Sequence, residues 1–94
     1  MYKFGDRVVV KDKQGIINTF DNYRQGLPNW TPSKAHMIMF DESMFNMCGQ
    51  SGRVYKARGQ GEEVMIAFDD ETLPTYWTWH KDWVVPQMID NRSV

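Results

Sequence analysis

The stretch EEVMIAFDDETLPTYWTWHKDWVV, Glu62 to Val85, decides how this chain is read. Its opening residues alternate: Val64, Ile66 and Phe68 fall on one face of an extended chain, Met65 and Ala67 on the other. That is the period of a half-buried strand. Asp69-Asp70-Glu71-Thr72-Leu73-Pro74 breaks the pattern with acids and a proline and reads as a turn. Tyr76 to His80 alternates again, with Trp77 and Trp79 on one face and Tyr76, Thr78 and His80 on the other. Lys81-Asp82-Trp83 predicts a 3₁₀ turn, and Val84-Val85 a short closing strand.

Toward the N-terminus the same signals recur. Arg53 to Ala57 predicts a strand, and Gly59-Gln60-Gly61 a hairpin turn leading into residues 62–68. Asp41 stands in cap position before Glu42-Ser43-Met44-Phe45-Asn46-Met47, which suits one short helical turn ended by Gly49 and Gly52. His36 to Phe40 reads as a strand, as does Tyr2 to Lys11 around the β-branched Val8, Val9 and Val10. Residues 12–35 are polar, with Gly15, Gly26, Pro28 and Pro32, and read as a long loop. Ile16, Ile17 and Phe20 give that loop a short strand or an anchor. The fold class expected is all-β: a small barrel or sandwich of five to six short antiparallel strands, spanning 1–86, with 87–94 as a tail. A barrel is the more economical closure because it hides strand edges.

The chain has 94 residues, one domain's worth, of which 41% are hydrophobic and 14% aromatic. Large aromatic side chains let a small core bury enough surface. Net charge is −1, which gives no global pull toward nucleic acid or anionic membrane. Its distribution is uneven: residues 1–34 carry six basic and three acidic side chains, residues 35–72 three basic and seven acidic. No run of apolar residues is long enough to span a bilayer. One cysteine, Cys48, cannot form an internal disulfide, so the expected setting is the cytoplasm.

Chemistry is sparse. Cys48, His36 and His80 have no metal-ligand spacing, so no metal or cofactor is expected. Cys48 in MFNMCGQ has no basic neighbour to lower its pKa, and reads as a small hydrophobe rather than a nucleophile. Asp69, Asp70 and Glu71 sit on a turn, which lacks the burial that tunes catalytic carboxylates. No phosphate-binding glycine loop or serine-nucleophile motif occurs. The expectation is a protein that binds and does not catalyse.

The pieces FGDRVVVK (4–11), GRVYK (52–56), EVMIAFDDE (63–71) and YWTWHKDWVVP (76–86) resemble, in their order, small SH3-like barrels. With MIMFDESMFNMCGQSGRVYKA (37–57), the chain is similar to a family of phage-encoded SH3-like domains, themselves like the Mind bomb type. The resemblance covers residues 3–11 and 36–86. It implies an interaction module: a phage accessory protein that binds a host or phage protein and inhibits it, in the host cytoplasm.

In such a barrel the loop after the first strand lies against the aromatic strand. Tyr23 and Trp30 in that loop, with the edge of Tyr76 or Trp79, are the expected partner-binding residues. Asp41, Glu42, Asp69, Asp70 and Glu71 would form their acidic rim. The alternative is a nucleic-acid platform made by Lys3, Arg7, Lys11, Lys13, Arg24 and Lys34, interleaved with Tyr23 and Trp30.

Overall fold

The fold is seen in a computed structural model that describes residues 2–20 and 40–88. Five antiparallel strands form one sheet: β1 (Arg7–Val10), β2 (Ser51–Arg58), β3 (Glu63–Phe68), β4 (Thr78–His80) and β5 (Val84–Pro86). Their order across the sheet is β4-β3-β2-β1-β5. The first strand is therefore interior, flanked by the second and the last. The mostly-β expectation holds, and β4 and β5 are the edges of an unclosed sheet.

Alternation builds the inner face as the sequence predicts. Val8, Val10, Val54, Val64, Ile66 and Phe68 all point into the core. One position departs from strict alternation. The β2–β3 register pairs Val54 with Ile66 and then Lys56 with Met65, so Tyr55 is an extra, bulged residue. Gly52, opposite Phe68, is required by close approach. A β-carbon there would lie 2.5 Å from Ile66 Cγ2 and 2.6 Å from the Ala67 carbonyl oxygen.

Short helical pieces cover the inner face. The expected turn at 41–47 is a 3₁₀ helix, Glu42–Met47, and Asp41 caps it as expected. The Asp41 carboxylate accepts from the Ser43 backbone N–H at 2.8 Å and from its hydroxyl at 2.7 Å. Met44 and Met47 enter the core. The expected 3₁₀ turn at Lys81–Trp83 also forms, and Trp83 is fully buried.

The long-loop expectation needs correction at its start. Lys13–Ile17 is a short α-helix, α1, and Asp12 caps it by accepting from Gly15 N–H at 2.7 Å. A helix of five residues has no stability of its own. Burial of Ile16, Ile17 and Phe20 holds it. The indole N–H of Trp83 donates to Thr19 Oγ1 at 3.0 Å, tying the end of this segment to the 3₁₀ turn before β5. The expected strand His36–Phe40 lies outside the described residues except for Phe40, which is buried and in no strand.

The aromatic strand is shorter than expected, starting at Thr78. Trp79 is 1% exposed and fills the core, whereas Trp77 precedes the strand and is half-buried. His80, expected on the opposite face from Trp79, is also buried. It caps the next turn: its Nδ1 accepts from the Asp82 backbone N–H at 3.1 Å.

Candidate functional site

A cleft of about 680 Å³ opens where the chain enters β1 and leaves β5. It is lined by Tyr2, Gly5, Asp6 and Arg7 from the entry to β1, by Pro86 and Gln87 from the exit of β5, and by Gly61 and Lys81 from two turns. Antiparallel pairing of β1 with β5 brings these distant segments together, with Val8 opposite Pro86. Gln87 extends that ladder, its N–H donating to the Arg7 carbonyl at 3.0 Å. The arm before β1 is pinned by Gly5 N–H to the Val54 carbonyl at 2.8 Å, and by Lys3 N–H to Asp6 Oδ2 at 2.9 Å.

Arg7 is the most heavily engaged side chain at this site. Its Nε donates to Gln87 Oε1 at 3.1 Å, and its guanidinium grips Asp69 with two parallel bonds, one of 2.7 Å. A bidentate pair of this kind fixes geometry as well as charge. It holds the Asp69 carboxyl below its ordinary value, with Arg53 adding a smaller pull. Lys81 makes a looser pair with Glu62, at 3.5 Å and largely exposed, of a kind worth little net energy. Burial, and secondarily the Asp6 charge, push the Tyr2 hydroxyl up, so it stays protonated and can donate. Phe4 and Met88 are 76% and 88% exposed, each within two residues of the lining in sequence.

The predicted site residues do not converge here. Tyr23 and Trp30 lie outside the described residues. Trp79 is a core residue, so its side chain adds packing and no contact surface. Asp69 is committed to Arg7. Asp70 folds into its own turn, accepting from the Thr72 N–H at 3.0 Å and the Thr72 hydroxyl at 2.6 Å. Those bonds lower its pKa as they do for Asp41, which is the cap of its turn. Glu71 is exposed. Tyr76 is 67% exposed and lies against Trp77, ring centroids 5.0 Å apart, at the end of the connection from β3 to β4. Asp41 and Glu42 line a separate shallow groove with Lys13, Ser43, Phe45 and Asn46, where Lys13 Nζ sits 5.0 Å over the Phe45 ring.

Cys48 is half-buried, and burial, reinforced by Asp12, raises its thiol pKa, which lowers the thiolate fraction. Among the described residues no cluster of His, Cys, Asp and Glu could hold a metal ion, and no helix is long and apolar enough to cross a membrane. The cleft residues were not legible in the sequence. Tyr2, Lys81 and Gln87 carry no motif; the β1–β5 pairing, the Gly5–Val54 bond and the Lys81 N–H bond to the Glu62 carbonyl bring their segments together. Comparison with protein-family models, curated proteins and solved structures finds no match.

Proposed function

We propose that this chain is a non-catalytic protein-interaction module on an SH3-like barrel, and that its cleft receives a partner protein. The strand connection supports the barrel. A flat five-stranded sheet would hold its edges about 19 Å apart at the usual strand spacing. Yet the edge strands β4 and β5 are joined only by the 3₁₀ turn Lys81–Trp83. Four residue steps through such a turn rise roughly 8 Å, so the sheet has to curl.

The cleft carries the functional reading. It combines an aromatic ring, a proline and hydrogen-bonding side chains, and exposed Phe4 and Met88 stand close to it in sequence. Apolar surface beside fixed polar groups is what a peptide or protein partner uses. The nucleic-acid alternative loses ground on its own residues. Arg7 is spent on Asp69 and Gln87, and Lys13 on the Phe45 ring. The resemblance to phage-encoded domains makes the partner a host or phage protein, inhibited by occlusion.

The test is affinity capture from the native cell lysate at moderate salt, with Phe4→Ser/Met88→Ser as control. Both side chains are exposed, so the variant keeps its fold. The expected result is one protein retained by the wild type and lost by the variant. Tight oligonucleotide binding that falls steeply with salt would overturn the reading.

A further inference from the structure

The outward face of β2 carries an arrangement that the sequence hides. Arg53, Lys56 and Arg58 are all exposed. In a regular strand, residue 53 faces with 55 and 57, whereas 56 faces with 54 and 58. Arg53 would then be on one side of the sheet, and Lys56 and Arg58 on the other. The bulge at Tyr55 resets the count. Val54 and Ala57 stay paired with the inward Ile66 and Val64, while Arg53, Lys56 and Arg58 pair with Ala67, Met65 and Glu63. Three cations thus share one face of a central strand. Arg7 on β1 stands directly opposite Arg53 and makes a fourth.

The carboxylates beside this stripe do not balance it. Asp69 is gripped by Arg7, and Arg53 feels it only through space. Glu63 meets Arg58 at 3.5 Å with both side chains partly exposed, a pair that exchanges readily with a competitor. Among the described residues no carboxylate lies within ion-pair distance of Arg53 or Lys56. Like charges directly opposite each other on a sheet are unfavourable; Arg7 is already held by Asp69, so the cations left for a further anion are Arg53 and Lys56, with Arg58 only loosely paired.

We infer that this stripe is a docking surface for a short acidic segment of a protein partner, an inference resting on the protein-interaction reading above. From Arg53 to Arg58 it runs roughly 17 Å at strand rise, enough for two or three carboxylates on alternate residues of an extended chain. A short segment fits better than a nucleic acid. Glu62, Glu63, Asp70 and Glu71 lie near the ends of β2 and β3, and the whole chain is net −1. A long polyphosphate would run on past those acids, whereas two or three carboxylates need not.

The experiment is an amide NMR titration of the full chain with a decaglutamate peptide, and separately with an oligothymidylate of equal charge. Arg53→Glu/Lys56→Glu is the comparison variant, its fold checked by its own spectrum. The expected result is peptide-induced shifts concentrated at residues 53–58 and 7, weakening with salt and about tenfold weaker binding in the variant. No binding, or shifts elsewhere, would overturn the stripe while leaving partner capture through the cleft standing. Tighter binding of the oligothymidylate at the same residues would overturn both.

Discussion

The rings of Phe20 and Phe40 meet edge to face with their centroids 5.3 Å apart. Phe40 also meets Phe45 at 4.8 Å, Trp83 at 5.1 Å and Trp79 at 6.2 Å. It therefore joins Phe20 in the segment after α1, the 3₁₀ helix Glu42–Met47, β4 and the 3₁₀ turn before β5 in one aromatic cluster. Phe40→Ala should cost about 3–5 kcal/mol, because the rigid rings around it cannot close the space. Urea denaturation measures this. A loss below about 1 kcal/mol would show that Phe40 is not a core residue.

Gly52→Ala should destabilise by about 2 kcal/mol or more, since the new methyl meets backbone atoms of Ala67 and Phe68 that cannot swing away. Gly49→Ala is the instructive comparison. Nothing lies near its would-be β-carbon, and its penalty would come from positive φ alone. Thermal unfolding of both variants separates crowding from backbone strain.

The Arg7–Asp69 grip makes a pH prediction with a definite sign. Asp69's pKa is lowered in the folded chain by Arg7 first and Arg53 second. Its contribution is therefore complete above the unfolded aspartate value, about pH 4, and is lost as pH falls through the depressed folded value. Asp41 and Asp70 act in the same direction through their own turns. Asp69→Asn should flatten part of the acid limb of the stability profile. An unchanged profile would show that the grip adds nothing to stability.

Pro86 guards the β5 edge. Lys11 N–H donates to the Trp83 carbonyl and Gln87 N–H to the Arg7 carbonyl, so the backbone groups of residues 83 and 87 turn toward β1. By the alternation of an antiparallel ladder, Val84 and Pro86 turn theirs outward. The Val84 N–H is taken by the Lys81 carbonyl, and Pro86 has none. The edge thus offers no donor at either position to a second strand. Pro86→Val should raise self-association, read by sedimentation velocity. A variant that sediments as the wild type does would show that the edge is guarded by something else.

Much of the fold was legible because it is local. The strand at 63–68 follows from alternation, the one at 7–10 from its β-branched valines, and the capped turn at 41–47 from Asp41 and the Met44–Met47 spacing; the strand at 53–57 was legible from its composition and the Gly59-Gln60-Gly61 turn after it. The helix at 13–17 was read as loop: its local signal is Asp12 as a cap, and Gly15 with the polar surroundings masked it. The candidate surfaces were not legible. Trp79 looked like an available aromatic and is core, while Asp69 and Asp70 looked like free acids and are bound to Arg7 and Thr72.

By itself, the sequence determined which segments extend, where they turn and which side chains are apolar enough to be buried, since side-chain period and cap chemistry act over a few residues. Only the tertiary structure decided what those strands present outward. Pairing of β1 with β5 placed Arg7 beside Pro86 and Gln87 in the cleft, and one bulged residue, Tyr55, put Arg53 on the same face as Lys56 and Arg58. A bulge arises from the match between two strands, a long-range property that the period of either strand alone does not carry.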